Sequence, residues 1–424
     1  MRKNNKEKEL KKFPNGEAIS NWFFDNEIVG IGKLGKTYSV LDFDIKLNAL
    51  MTNEIQNLIN HISSNGGGVL YFPKGTYLSG AVYLKDKVSL YLEEGAVIYG
   101  SENIDDFPLT KTRIEGECCE YYPALINVIN TSNTYIFGKG EINGNGLPYW
   151  KKFWEDQKRN PKSTNKDTHR PRLLFANECD NLTIDGITFK DSPFWTTHYY
   201  KCNNLKITNC QFLSPKEPVP APSTDGIDID VCENVVIDNC YFEVNDDAIA
   251  LKGGKGPYAD MDVNNGKNKN IIIRNCRFGF CHSALTFGSE SIHDQNVVFI
   301  DSKLNSTSQL VHFKMRGDTP QIYEDVYIDN INGSVIGSFL NINPWTQYFD
   351  LKGRKDMPIS IVRNVAFSNI DIKCGCFFNV LRKDEQYILS DFKFSNLLIV
   401  TKDKGLEYDY IKNIKFENVK ITEK

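Results

Sequence analysis

The sequence predicts an all-β chain, wound as a single-stranded right-handed parallel β-helix with a short helix capping its N-terminal end. Three observations predict it. The first is a recurring phrase: an asparagine, three mostly β-branched or apolar residues, one or two polar residues, then a second short apolar run. It reads Asn181-Leu-Thr-Ile-Asp-Gly-Ile-Thr-Phe189, Asn204-Leu-Lys-Ile-Thr-Asn-Cys-Gln-Phe212, Asn234-Val-Val-Ile-Asp-Asn-Cys-Tyr-Phe242 and Asn270-Ile-Ile-Ile-Arg-Asn-Cys-Arg-Phe278, with weaker copies from Asn296, Asp325, Asn364, Asp391 and Asn413. The second is the step between copies, from 22 to 39 residues, the range in which repeats mean a solenoid. The third is negative: neither the fixed leucine spacing of a leucine-rich repeat nor a helical 3.6-residue stripe runs through the copies.

Each element follows from local pattern. Residues 1–13 open as Met1-Arg-Lys-Asn-Asn-Lys-Glu-Lys-Glu-Leu10 and are expected to form a mobile arm. No apolar segment follows these basic residues, so the start does not read as a secretory signal. The expected location is cytoplasmic, or secreted or periplasmic if a leader has been removed. Residues 14–65 form an N-terminal segment ending in a helix: Thr52-Asn-Glu54 supplies a cap, and Ile55, Leu58, Ile59 and Ile62 line one face. That helix would cover the open end of the solenoid. Residues 66–424 form the solenoid itself, beginning at Gly66-Gly-Gly-Val-Leu-Tyr-Phe-Pro73. In each phrase the alternation gives two short strands hinged at Asn or Gly. Consecutive coils then pair in parallel about 4.8 Å apart, and the repeated asparagines stack as side-chain ladders.

Composition narrows the function. Of 424 residues, 41% are apolar, enough for a large core, and 50 basic residues face 54 acidic ones for a net charge of −4. No apolar run reaches the roughly 18 residues of a membrane span. No basic block marks a nucleic-acid binder. Of eleven cysteines, Cys179, Cys202 and Cys232 lie two residues before a phrase-opening asparagine. Cys210, Cys240 and Cys276 lie six residues after one. Such equivalent slots predict stacked, reduced core thiols. Cys118-Cys119 and Cys374-x-Cys376 stand outside the pattern and are the two candidate redox pairs.

The chemistry concentrates in the turns of four consecutive coils. Asp225 lies in Ser223-Thr-Asp-Gly-Ile-Asp-Ile229, and Asp246 and Asp247 lie in Asn245-Asp-Asp-Ala-Ile-Ala-Leu-Lys252. The 21-residue step from Asp225 to Asp246 is about one coil and puts the three acids on one face. Clustered carboxylates raise one another's pKa, and glycoside hydrolysis uses that division into one acid and one base. His282, in Cys281-His-Ser-Ala-Leu-Thr-Phe-Gly-Ser289, falls in register once an excursion from Lys252 to Asn268 is set aside. The next coil brings His312-Phe-Lys314-Met-Arg316, cations suited to an anionic sugar. Trp195 and His198, in Ser192-Pro-Phe-Trp-Thr-Thr-His198, and Trp345, in Asn343-Pro-Trp-Thr346, are candidates for shaping a sugar subsite. For each, packing at the flank of the solenoid is an equal alternative.

These four segments, in this order on successive coils, resemble glycoside hydrolase family 28, the polygalacturonases and related pectin hydrolases. That family's Asn-Thr-Asp turn, Asp-Asp pair, Gly-His-Gly and Arg-x-Lys match Ser223-Thr-Asp225, Asp246-Asp247, Cys281-His-Ser283 and His312-Phe-Lys314. Gly75-Thr-Tyr-Leu-Ser-Gly80, Leu92-Glu-Glu-Gly-Ala96 and Ser192-Pro-Phe-Trp195 look like segments of its bacterial members, so the likeness runs from about Gly66 onward. The resemblance implies Asp246 as general acid, with Asp225 and Asp247 activating water in a single inverting displacement. It also implies His282 tuning the acid, Lys314 binding the substrate carboxylate, and no metal or other cofactor.

Three departures stand out. Ser223 replaces the family's Asn, and Cys281 and Ser283 replace both glycines around the histidine. His312 stands where the family has arginine, so either Arg316 reaches the same carboxylate or the subsite takes another sugar or linkage. The expected substrate is a pectic oligo- or polysaccharide, cut from one end, with the excursion at Lys252 to Asn268 walling off the cleft. Two alternatives stay open. One is a β-helix polysaccharide lyase with Lys314 or Arg316 as base and calcium on the acids. The other is a carbohydrate-binding solenoid without catalysis.

Overall fold

The computed structural model describes residues 10–25, 27, 29–345, 349–381, 383, 385–405 and 411–424. Short strands stack coil on coil, and each registered pair between coils is parallel. The chain is the expected right-handed parallel β-helix. Its coils pair from Thr37–Ser39, in register with Val69–Tyr71, to the last strand, Lys415–Glu423. The stacking therefore starts earlier than Gly66.

The asparagines explain why the chain bends where it does. Asn181, Asn204, Asn234, Asn270 and Asn296 have φ between 55° and 59°, a left-handed conformation that asparagine tolerates and most residues avoid. Their amides bond along the axis: Asn234 Nδ2 to Asn204 Oδ1 at 3.3 Å, Asn270 to Asn234 at 3.2 Å, and Asn296 to Asn270 at 2.9 Å. Inside, the phrase-closing phenylalanines Phe189, Phe212, Phe242 and Phe278 stack with centroids 5.3, 4.9 and 5.1 Å apart. All eleven cysteines are free thiols. Cys179, Cys202, Cys210, Cys232, Cys240 and Cys276 are buried in the core as expected.

The capping helix, α1 (Thr52–Ser64), buries Ile55, Leu58, Ile59 and Ile62 against the first coils. Thr52 does not cap it: Met51 holds that position, and the Thr52 hydroxyl accepts from Gly80 N at 2.7 Å. The first nine residues of the expected arm lie outside the described residues. Phe13, at its end, is buried with Phe23 over Val236, Ile272 and Val298, outward-facing apolar residues of one sheet.

Three excursions, two of them absent from the repeat pattern, build over the sheet that carries Thr197–Tyr200, Ile227–Asp230, Ile249–Lys252, Leu285–Phe287, Val311–Arg316 and Ser338–Trp345. One is a second helix, α2 (Leu147–Arg159), with its following loop. Another is the antiparallel hairpin Thr110–Ile114 with Glu117–Tyr121. The third is the expected loop after Lys252, which returns at the strand Lys267–Arg274. Buried arginines rivet the first two down. Arg113 Nε meets Asp230 Oδ2 at 3.0 Å, and Arg172 donates to Arg113 O and to Thr112 Oγ1, each at 2.7 Å. Arg170 donates to Pro193 O at 3.1 Å and to Pro222 O at 2.7 Å. No helix among the described residues is long and apolar enough to cross a membrane.

Candidate active site

Four coil turns stack through their backbones to make the site. Thr196 N donates to Asp225 O (2.8 Å), Gly226 N to Asp247 O (2.9 Å), and His282 N to Asp246 O (2.8 Å). Glycine follows Asp225 for lack of room, since a Cβ there would lie 2.6 Å from Ala248 O. Asp247 N donates to Asp246 Oδ1 at 3.0 Å, so the bend between the two acids is held by one of them.

The three acids converge. Asp225, Asp246 and Asp247 each place a carboxylate oxygen within 4.8 Å of the others. His282 Nδ1 stands 3.2 Å from Asp246 Oδ1, and Lys314 Nζ bonds Asp247 Oδ2 at 2.6 Å. Together with His312, Trp195 and Trp345 they line a lobe of about 420 Å³. A second lobe of about 660 Å³ shares Asn165, Ser223, Asp246 and His282 and extends past Trp154 of α2. Asp246 and His282 thus lie where the two lobes of one groove meet, with Asp225 and Asp247 lining the smaller lobe. A separate cavity of about 640 Å³ under the N-terminal segment, lined by Trp22 and Lys206, holds none of the expected site residues. The oxygens of the trio are a donor set a hard cation would accept, although Lys314 and Lys252 already bring positive charge to them.

Charge is divided unevenly within the trio. Burial, together with the Asp246 charge, lifts Asp225 well above the carboxylate range. Burial also favours the neutral form of Asp246, but the His282 hydrogen bond and charge overcome it and hold Asp246 down at about 2. His282 is raised in return, first by its bond to Asp246. His282 and Asp246 are therefore an ion pair carrying one proton between them, and Asp225 is the carboxyl that holds its proton to higher pH.

Two expectations fail. Arg316 does not reach the groove: its guanidinium is locked bidentate on Asp318, both contacts at 2.8 Å, because the turn after its strand brings that carboxylate back. His198 shapes no subsite. The hairpin covers its strand position, and it lies buried between Arg172 Nη1 (2.6 Å) and Asp230 Oδ2 (3.2 Å), driven to about 4 by burial. Trp195 and Trp345 do line the groove, with Lys252 Nζ 4.8 Å over the first ring and Lys314 Nζ 4.7 Å over the second.

His312 faces the groove, bonded to Asn343 Oδ1 at 3.0 Å. Burial and Lys314 lower it to about 4, so it offers a neutral hydrogen bond where arginine would offer charge. Neither Cys281 nor Ser283 has a positive φ, and the missing glycines cost no backbone strain.

Sequence reasoning missed Lys252, Glu290 and Glu115, which also line the groove. For Lys252 a signal existed: it ends the strand that follows Asp246-Asp247, on the outward alternation. Glu115, at the tip of the hairpin, and its neighbour Glu117 meet Lys255 of the excursion at 3.7 and 3.4 Å. Lys166 of the loop after α2 stands 3.9 and 3.2 Å from the same pair. Four charges thereby tie the three excursions together at one side of the groove.

Comparison with known proteins finds a matching family and relatives. The model of glycosyl hydrolases family 28 matches residues 109–370, more than half of the chain. A Vitis vinifera protein described as "Probable polygalacturonase" is 29% identical over 271 residues, 60% of this chain. That alignment spans about half (52%) of the relative's length. The endo-polygalacturonase of Pectobacterium parmentieri is 25% identical over 325 residues, 74% of this chain and 76% of the relative. Among solved structures, an exopolygalacturonase from Thermotoga maritima shares the fold with a TM-score of 0.78 at 21% identity, covering 91% of this chain and 92% of its own.

Proposed function

Because the chain belongs to glycosyl hydrolases family 28, we propose that it hydrolyses α-glycosidic bonds of galacturonic-acid-containing pectic chains, polygalacturonan or rhamnogalacturonan, from one end and with inversion. The observation that carries this reading is the trio Asp225, Asp246 and Asp247 meeting in one groove with His282 and Lys314 against it. Asp246, which lines both lobes, protonates the glycosidic oxygen. In the free enzyme its proton is stored on His282. Substrate expels water from Asp246, favours its neutral form, and the proton crosses the 3.2 Å contact. Asp225 and Asp247 take the proton of the attacking water. Asp225, whose affinity for protons burial and the Asp246 charge raise, is the base once it is ionised. Lys314 bridges Asp247 and the carboxylate of the bound uronide, and neutral His312, whose one N–H is donated to Asn343 Oδ1, leaves its other ring nitrogen as an acceptor beside it.

One observation favours a second reading. The trio is more closely spaced than the roughly 6.5–9.5 Å usual for inverting pairs. Two acceptors facing one water support inversion nonetheless, since a retaining enzyme needs only one carboxylate opposite the acid. The ion cluster of Glu115, Glu117, Lys166 and Lys255 supports cleavage from one end, because it ties the three excursions into a wall at one side of the groove.

Oligogalacturonides and rhamnogalacturonan oligomers, followed by chromatography and by NMR of the first-formed anomer, test this. Short units released from the outset, with the β-anomer first, are expected. A ladder of mid-length products would overturn end-wise cleavage, and the α-anomer first would favour retention. No hydrolysis of any pectic oligomer, or an unsaturated product, would overturn the substrate class or the hydrolytic chemistry.

The proton store has its own signature. Since the His282 pKa is raised above the ordinary imidazole value, the pair stays loaded below it and empties as pH rises through it. In His282→Gln the proton rests on a carboxyl alone, so the alkaline limb of kcat/KM moves to lower pH. An unmoved limb would remove His282 from the proton path.

A further inference from the structure

Beneath Asp225, on the outward face of the sheet, lie two groups for which the mechanism above has no use. Lys252 is nearly inaccessible, at 3% exposure. Its ammonium stands 3.6 Å from Asp225 Oδ2, 3.6 Å from Asp228 Oδ1 and 3.3 Å from Glu290 Oε2, and donates to Gly288 O at 3.3 Å. Asp228 is fully buried, and neither of its carboxyl oxygens has a hydrogen-bond partner among the described residues. A buried carboxyl that meets an ammonium at 3.6 Å but makes no hydrogen bond among the described residues is expensive. Packing does not explain it, because isoleucines flank it on the inward face and it occupies an outward position. Its place is explained by what it faces, the same ammonium that serves Asp225.

We propose that Lys252 and Asp228 form an opposed pair of buried charges that governs Asp225, the lysine holding its carboxylate ionised and the aspartate pulling the proton back. The inference rests on Asp225 acting as base. Among the described residues Lys252 is the one cation within 4 Å of Asp225. Asp246 and Asp247 face Asp225 from the turn of the next coil, and both favour its protonation, as Asp228 does from its own strand. Lys314 acts from two coils beyond that, paired to Asp247. Glu290 contacts Lys252 from the turn after Leu285–Phe287 and draws on its charge, Asp294 lies on the strand beyond, and Arg172 acts on Asp228 from the segment before Leu174. His282 contacts the trio at Asp246 and also feels the charge of Asp247. Remove Lys252, and Asp225 sits among acids with no close cation. Remove the charge of Asp228, and Lys252 serves Asp225 with one competitor fewer. Burial lifts Asp228 to about 7 against the pull of Lys252, so its charge is itself poised to change near neutral pH.

The two groups must therefore move the same titration in opposite directions, which a structural role would not do. In the free enzyme carrying ¹³C-carboxyl aspartate, the Asp225 signal is assigned by its loss in Asp225→Asn. Its midpoint is expected to rise by about 1 to 3 pH units in Lys252→Met, the range for an opposite charge at this distance. It is expected to fall in Asp228→Asn and to stay near the wild-type value in Lys252→Arg. The acid limb of kcat/KM on an oligogalacturonide should follow the same signs. Shifts in one direction for both variants, or no shift in either, overturn the inference even if Lys252→Met folds poorly, because Lys252→Arg and Asp228→Asn then carry the test. Full activity in Asp225→Asn overturns the base assignment, and a titration with the expected signs would still locate the charge pair.

Discussion

Asp246→Asn is expected to lower kcat on an oligogalacturonide by about 10²- to 10⁴-fold, the usual worth of a general acid, with little change in KM. The amide fills the same volume and still accepts from Asp247 N, which now donates to the carboxylate at 3.0 Å, so the bend and both groove lobes survive. What disappears is a proton for the leaving oxygen, needed only in the transition state. His282 cannot stand in, because its path to the substrate is the Asp246 oxygen it faces at 3.2 Å. A substrate whose leaving group departs without protonation separates this role from any other. An aryl α-galacturonide with an acidic phenol should recover most of the lost rate in Asp246→Asn. Wild-type kcat in the variant would place the acid elsewhere, and no recovery on the aryl substrate would make Asp246 the base.

The solenoid was legible because its determinants are local and repeated. An asparagine that must take a positive φ recurs at each coil from Asn181 to Asn296, and a phenylalanine closes each of the first four phrases over the one before. The period also sufficed to bring Asp225, Asp246, Asp247, His282 and Lys314 together, since residues in phase on a stacked helix share a face. What period cannot carry is what lies on top of that face. His198 and Arg316 hold outward positions on their strands, as Lys314 does. The hairpin covers the first and Asp318 claims the second, and neither partner is encoded within the repeat. The same blindness applies to α2, whose buried Tyr149, Trp150 and Phe153 form a short stripe between coils. Lys252 was overlooked for another reason: its partners Asp225, Asp228 and Glu290 come from different coils, and only the fold brings them within 4 Å.

Those covering contacts make the second large effect a matter of stability. Asp230→Asn is expected to destabilise the structure by about 3 to 5 kcal/mol, the usual penalty for stranding a buried charge. Asp230 is inaccessible, held low because Arg113 and His198 outweigh the burial that would raise it. Arg113, at 1% exposure, loses its one carboxylate partner among the described residues. The chain can limit that penalty in one way, by letting the hairpin Thr110–Tyr121 lift so that Arg113 reaches water. Denaturant unfolding and limited proteolysis measured together distinguish the two responses: a lower midpoint reports global loss, and new cleavage between Thr110 and Tyr121 reports lifting. Lifting also carries away Glu115 and Glu117, half of the ion cluster at the side of the groove, so mid-length oligomers should then appear among the products. Replacing the cation as well, in Asp230→Asn with Arg113→Met, removes the stranded charge and should restore much of the stability. A single variant as stable and as protease-resistant as the wild type would mean that the hairpin is held by its apolar contacts with Phe194 and Trp195, and that the rivet adds nothing.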